Sequence, residues 1–412
     1  MRRPPTDRPG FGHIASVLRH RNYRLLWSGL MVSNSGDWMD QVALNWLVLQ
    51  TTGSAFYLGL VNLFRAVPIL ALTLLGGVAA DRFERRRLMM VSQSVGMVLA
   101  IILALLVYQG QAHIWVILAI AAGRGAVVAF NQPARQTLIS EIVPQSILPS
   151  AIALNALTMN LTKVIGPLLA GLIIANLGMA ACFAVNAASF LAVLYTLHSM
   201  EFPPRAARPE PEPVLVSLMS GFRYLWDNQT VLILVLVAII PTFFGQPYLY
   251  LLALFAVEIY HVGAEGVGLM TASAAMGAIC GATLLATIPS AGRRGNFMLS
   301  AMLMQGLLIF LFAMTDSFLL GSCLLAGIGA SQVMCNASNN ILLQTSVPDH
   351  VRGRVLSVLY LNKGMVQLGT AVVASLAALT GVRVALALSS GVVVISAIAV
   401  LVLVPSIRRL RT

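Results

Sequence analysis

Apolar stretches recur along almost the whole chain, separated by short clusters rich in arginine, proline and glycine. A helix needs about 20 mostly apolar residues to cross a hydrocarbon core of ~30 Å. Read on that criterion, the pattern predicts twelve spans, near residues 25–50, 56–80, 88–109, 114–134, 150–176, 181–200, 231–260, 266–289, 297–315, 318–345, 355–380 and 384–405. Inside lipid every backbone N–H and C=O must find its partner within the segment, so runs of this length are expected to be helical. The expected fold class is an all-α membrane protein with twelve transmembrane helices.

The polar punctuation carries direction, because Lys and Arg gather on the cytoplasmic side of membrane proteins. Arg2, Arg3, Arg8, Arg19, Arg21 and Arg24 precede or open the first run, and Arg82, Arg85, Arg86 and Arg87 follow the second. Arg135 follows the fourth, Arg205, Arg208 and Arg223 the sixth, Arg293 and Arg294 the eighth, Arg352 and Arg354 the tenth, and Arg408, Arg409 and Arg411 the last. Arg383 is the one connecting-segment arginine on the opposite side. Both termini are therefore expected in the cytoplasm, and the chain in a cell (plasma) membrane as a multi-pass protein.

The longest connection begins with "EFPPRAARPEPEP", which proline and charge should keep extended. Val214, Leu215, Leu218, Phe222, Leu225 and Trp226 then recur at helical spacing, which predicts an amphipathic helix on the inner membrane face. This connection divides the chain into an N-terminal six-helix bundle (1–200), a cytoplasmic linker (201–228) and a C-terminal six-helix bundle (229–412). The halves echo one another: Val143-Pro144 maps onto Val347-Pro348, and Gly77 onto Gly281 at the same offset. Repeats in one orientation suit two bundles facing a central cavity.

Composition narrows the class further. Charged residues make up 10% of the 412-residue chain and hydrophobic ones 58%, whereas a soluble domain carries roughly 25% charged residues. Lipid is the expected solvent for most of the surface. The formal net charge of +12 is dispersed among short inter-run segments rather than forming a basic stripe, so no nucleic-acid partner is expected. Cys182, Cys280, Cys323 and Cys335 lie inside apolar runs without CxxC spacing and are expected to be buried thiols. The six histidines are scattered, and neither HExxH nor GxxxxGK[ST] occurs. No metal, no cofactor and no enzymatic activity are expected on that ground.

Ionisable side chains within spans are costly and mark function. Six occur: Asp37, Asp40, Arg65, Arg124, Lys163 and Lys363. Asn34, Asp37, Gln41 and Asn45 recur at steps of three and four, which makes one polar stripe with Asp40 beside it. The stripe fits two arrangements, the lining of a cavity or a set of hydrogen bonds between helices. Asp37 or Asp40 paired with Arg124, Arg65 or Lys163 would give either a carboxylate that takes up a proton when the pair opens, or a static ion pair. Pro68, Pro167, Pro241 and Pro247 also fall within spans, and Pro241 to Pro247 is expected to break the seventh helix. Phe64, Phe130, Phe243, Phe244, Tyr248 and Tyr250 lie near mid-span polar groups, with Asn336, Asn339 and Asn340 adding amides. Such a lining suits a bulky amphipathic molecule better than a sugar or an ion.

Between the second and third runs stands Gly76-Gly77-Val78-Ala79-Ala80-Asp81-Arg82-Phe83-Glu84-Arg85-Arg86-Arg87-Leu88. A carboxylate at a helix C-terminus meets the negative end of the dipole, so Asp81 needs an arginine or another helix N-terminus as partner. A loop that only sets topology is the other reading. Gly76 and Gly77 would admit a neighbouring backbone. The string resembles motif A of the major facilitator superfamily, with Gly77, Ala80, Asp81, Arg82, Arg85, Arg86 and Leu88 on the pattern and Glu84 where the family usually has Gly. Residues 36–68, "NQPARQTLISEIVP" (131–144) and "KVIGPLLAGLI" (163–173) are similar to its exporter branch, which includes enterobactin and macrolide efflux proteins.

The resemblance implies a twelve-helix secondary exporter. Arg124 matches the buried arginine of the family's helix-4 motif, which the resemblance links to proton coupling. Gly166-Pro167 with Gly171 resembles the antiporter signature, although Asn155 and Lys163 stand where a longer signature prefers small residues. Asp81 would bridge the second helix to the start of the eleventh, near 352–357, while its arginine neighbours hold the cytoplasmic side shut. The expected function is secondary active efflux of hydrophobic or amphipathic small molecules (antibiotic or siderophore-like) by proton antiport with alternating access. Uptake or facilitated diffusion of a small nutrient is the alternative. The expected partners are the small-molecule substrate, protons and the lipid bilayer, with the chain acting as a monomer.

Overall fold

A computed structural model describes residues 17–144, 147–200, 223–287, 294–347, 362–408 and 410. The helices follow in the order α1 (Arg21–Thr52), α2 (Ala55–Arg82), α3 (Arg85–Tyr108), α4 (Ile114–Ile142), then α5 and α6 (together Leu148–Ser199). They continue as α7 (Gln229–Glu258), α8 (Ala264–Thr287), α9 (Arg294–Met314), α10 (Phe318–Ser346), α11 (Asn362–Thr380), α12 (Val382–Leu403) and a short α13 (Pro405–Arg408). Gly178 (φ 82°, ψ 170°) splits α5 (148–177) from α6 (179–199) in a conformation that a Cβ would oppose.

Local chemistry accounts for the ends. Gly53 is left-handed (φ 60°) and its N–H returns to the Leu49 carbonyl at 2.8 Å, closing α1. The Ser54 hydroxyl then accepts from the Phe56 N–H at 3.3 Å and opens α2. In α7, Pro241–Gly245 form one π-helical turn in which the Gln246 N–H reaches the Pro241 carbonyl at 3.0 Å. The expected break of the seventh helix is thus a single widened turn, with α-helix resuming at Tyr248.

Nine helices among the described residues are long and apolar enough to cross a membrane, the segment containing both α5 and α6 counting as one. The polar stripe of α1 keeps that helix outside the set, and α11 offers only the shorter apolar stretch Gly364–Thr380. Large apolar side chains such as Leu379 (84% exposed) and Tyr195 (70% exposed) point outward, whereas Asn34, Asp40 and Arg124 are buried. That inversion is how lipid-facing helices hide polar groups.

Three apolar cores set the shape. At the end of the bundle that carries the Gly53, Gly110, Gly178 and Gly381 turns, all the long helices share one core. It includes Met39–Leu49 of α1, Leu58 of α2, Phe183 of α6, Phe255 of α7, Met270 of α8 and Ala374 of α11. At the opposite end the core is double. Leu26, Leu30, Met89, Leu138 and Val193 form one part, and Leu234, Met298, Met302, Leu342 and Val393 form the other. The helices are therefore joined at one end and divided into two sets at the other, with a cleft between.

Three expectations need correction or restriction. Arg135 does not follow the fourth span in a loop: α4 runs on to Ile142, and Arg135 is 6% exposed within it. Cys182 and Cys335 are buried, but Cys280 and Cys323 are exposed, because an apolar run in a membrane helix has outward as well as inward faces. Of the expected amphipathic helix, Val214, Leu215, Leu218 and Phe222 lie outside the described residues, as do 201–213; Leu225 is buried against the 229–408 core and Trp226 is 81% exposed.

Candidate translocation site

The described charged groups of the cleft lie in or next to one interval between the shared core and the separate core of α1–α6, with Asp40 just inside the former and Arg135 just inside the latter. On α1, Asn34 and Asp37 lie between Leu30 and Met39; on α2, Arg65 follows Val61. On α4, Arg124 and Arg135 follow Ala121, and on α5, Lys163 precedes Ala170. In α7–α12 the same level holds the π turn of α7, Gln305 and Gln367.

Asp40 and Arg124 form an ion pair between α1 and α4, with side chains 7% and 10% exposed. The second oxygen of Asp40 and Nη2 of Arg124 have no hydrogen-bond partner among the described residues. Gly125 explains the placement. A Cβ there would clash with the Arg65 carbonyl, so only glycine lets α4 lie this close to α2 and bring both arginines level. Gly329 of α10 meets the Ala274 carbonyl of α8 in the same way.

Arg65 donates to the Gln41 side-chain oxygen. Gln41 Nε2 donates to Asn45 Oδ1 at 3.1 Å, and Asn45 Nδ2 to the Tyr250 carbonyl of α7 at 3.5 Å. Gln367 Nε2 of α11 donates to the Tyr250 hydroxyl at 3.1 Å. One polar chain thus links α2, α1, α7 and α11 across the cleft floor. Arg135 Nη1 donates to Asn34 Oδ1 at 3.0 Å, and its Nη2 points to the Met159 sulfur. Asp37, unlike Asp40, is exposed, and its carboxylate acts electrostatically on both Arg124 and Arg135. Beside it a crevice is lined by Trp38, Gln41, Asn45, Tyr250 and Thr271, from α1, α7 and α8.

Gly166 has the Ser35 carbonyl and Trp38 Cβ where its own Cβ would be (2.6 Å from each), so α5 packs tightly on α1. That contact sets Lys163 Nζ 5.5 Å from the Trp38 ring centroid. Pro167 stays within α5, and its carbonyl abuts Gly268 of α8. Gly171 lies against Ala264 and Glu265 of α8. The Gly166-Pro167-Gly171 segment therefore packs against α1 through one residue and α8 through the others.

The arginine-rich turn is more local. Glu84 breaks the α2–α3 boundary with extended backbone and accepts from Arg87 at 2.8 Å. Arg85, 4% exposed, pairs with Glu141 at the end of α4, and Arg86 Nη2 donates to the His198 carbonyl of α6 at 2.8 Å. Arg82 is exposed. Gly76 packs against the Ala129 carbonyl of α4, but a Cβ on Gly77 would meet nothing within 4 Å, so only the first glycine serves close approach. The Asp81 side chain, the Lys363 side chain and residues 348–361, including the expected contact near 352–357, lie outside the described part.

The sequence reading places the α1 stripe and three of these four cations, Arg65, Arg124 and Lys163, inside spans. Arg135 was missed because a polar stretch, Asn131 to Gln136, looks like a span end; its position on the helical series Arg124, Asn131, Arg135 was the available signal. Gln367, a lone amide in an apolar helix, was likewise overlooked. Phe64 and Asn340 are exposed, whereas Asn339 and Tyr250 are buried.

Comparison with known proteins gives the family and the fold. Residues 14–410 match the model of the family described as transmembrane secretion effector, and the chain belongs to that family, within the major facilitator superfamily. The staphyloferrin A transporter of Staphylococcus aureus is 29% identical over 81% of this chain and 84% of its own. The multidrug efflux pump Tap of Mycolicibacterium fortuitum is 27% identical over 81% and 84% respectively. The enterobactin exporter EntS of Shigella boydii is 27% identical over 89% of this chain and 84% of its own. A bacterial homolog of the lysosomal transporter Spinster, solved inward-facing and unoccupied, superposes with a TM-score of 0.72 at 15% identity, covering 92% of this chain and 96% of that one. The chain is a multi-pass membrane transporter and not an enzyme.

Proposed function

We propose that this transmembrane secretion effector exports hydrophobic or amphipathic small molecules by proton antiport. Its relatives include an enterobactin exporter and a multidrug efflux pump, which supports outward movement. The observation that carries the coupling is the Asp40–Arg124 pair, with exposed Asp37 beside it, at the level where one core becomes two. Protonating a carboxylate there removes the charge that balances Arg124 and Arg135. The arrangement that keeps the arginines near it then loses its electrostatic preference. Proton uptake from one side and release to the other would thereby bias which end of the cleft is open.

On this reading the chain crosses the bacterial inner membrane twelve times. The nine long apolar helices become twelve when α1 and α11 are added and the α5–α6 segment is divided at Gly178. The arginine distribution puts both termini in the cytoplasm, so the divided end is cytoplasmic and the described state faces inward. The halves 1–200 and 229–412 rock about the joined core, with Gly77, Asp81, Arg82, Arg85 and Arg86 as the inner gate. Gly166, Pro167 and Gly171 form the pivot between α1 and α8. The protein acts as a monomer in the bilayer.

The test is accumulation of a fluorescent drug panel in cells with and without the gene, repeated with a protonophore. Export predicts lower accumulation in expressing cells and loss of that difference once the gradient is collapsed. Higher accumulation in expressing cells would establish uptake instead, and gene-dependent export indifferent to the protonophore would refute antiport.

A further inference from the structure

We infer that the substrate is an organic anion, with a carboxylate-bearing end seated near Lys163 and Arg65 and an apolar body lying toward α7. The inference rests on the exporter reading for direction only; binding stands apart from it.

The argument is a charge count confined to one layer. Between the shared core and the separate core of α1–α6, or within one helical turn of that layer, the described cations are Arg65, Arg124, Arg135 and Lys163, and the described acids are Asp37 and Asp40. Arg124 is met by Asp40, and Asp37 acts on Arg124 and Arg135. Two positive charges remain. Arg65 has a neutral amide oxygen, that of Gln41, as its acceptor, and its Nε has no partner among the described residues. The contact described for Lys163 is the Trp38 ring at 5.5 Å, and no described carboxylate lies within ion-pair distance of its ammonium. A cation over a ring face gains far less than it loses on leaving water for a membrane interior. A carboxylate entering the cleft would neutralise that surplus and make charge-assisted hydrogen bonds to both groups.

The opposite wall differs in kind. At this level the described side chains of α7–α12 are amides, hydroxyls and aromatics, with no charged group among them. Phe243 and Phe244 pack edge to face at 4.8 Å beside the π turn, and Tyr250 borders the crevice with Trp38. A molecule with an acidic end and an apolar or aromatic body matches both walls at once. A hydrophobic cation, the commoner kind of drug, would meet like charge on one side.

The test uses the purified full chain in nanodiscs and two probes, dansyl-leucine and its methyl ester, which differ by the carboxylate. Dansyl fluorescence reports binding. The wild type should bind the acid at least about tenfold more tightly than the ester, the scale of one charge-assisted contact. Lys163→Gln should remove most of that preference by weakening the acid far more than the ester, and Lys163→Arg should restore it. Equal binding of acid and ester by the wild type would overturn the proposal whether or not any variant folds. Equal weakening of both probes by Lys163→Gln would also overturn it. Acid-selective binding without gradient-driven uptake of either probe into everted vesicles would sink the exporter reading and leave this one standing. Export of the ester with no acid preference in binding would do the reverse.

Discussion

The Arg124 guanidinium of α4 meets the Asp40 carboxylate of α1 inside the bundle, where neither charge has ready access to water. Removing one partner of such a pair leaves an uncompensated buried charge, which costs about 3–5 kcal/mol. Asp40→Asn should therefore lower the thermal unfolding midpoint of the purified protein, and adding Arg124→Gln should recover much of the loss. A single variant as stable as the wild type would show that the pair is not held together in the native protein.

Asp37 should behave differently. It is exposed, so Asp37→Asn should lower the unfolding midpoint less than Asp40→Asn does. If it carries the coupling proton, the same variant should abolish efflux driven by a pH gradient in everted vesicles. Retained gradient-driven efflux would transfer the role to Asp40.

Gly125 holds the two arginine-bearing helices together. Gly125→Val places branched carbon against the Arg65 carbonyl and should destabilise by roughly 1–3 kcal/mol, the usual scale of overpacking. Gly77→Val, which faces open space, should not. Paired unfolding curves of the two variants decide the matter.

Arg85 and Glu141 are unequal partners, with side chains 3% and 31% exposed. Glu141→Gln leaves the more deeply buried charge without its carboxylate, so it should destabilise more than Arg85→Gln does. Equal effects in thermal unfolding would indicate that the Arg85 guanidinium is held as much by its other contacts as by Glu141.

The joined end can be trapped. A Cβ on Gly59 of α2 would stand 3.1 Å from the Ala374 Cβ of α11. In a background lacking the four native cysteines, Gly59→Cys with Ala374→Cys should crosslink under mild oxidant. The crosslink should stop transport reversibly, with dithiothreitol restoring it. Full transport by the oxidised protein would mean that this end need not open.

Helix positions were legible because lipid imposes one rule: apolar length spans, and polar clusters interrupt. The α1 stripe was legible for the same reason, since Asn34, Asp37, Asp40, Gln41 and Asn45 stand out against an apolar background. Arg135 and the two outward cysteines were misread because one-dimensional hydropathy does not say which way a helix face turns. Pairing was likewise open: sequence offered Asp37 or Asp40 to three cations, and the fold gave Asp40 to Arg124, Gln41 to Arg65 and the Trp38 ring to Lys163.

The chain's order of residues determined that it is helical and membrane-embedded, because backbone hydrogen bonding in lipid leaves few other options. Tertiary packing decided which charges are balanced and which remain over. That depends on how closely helices approach at Gly125 and Gly166, and such distances arise only when segments far apart in the chain come into contact.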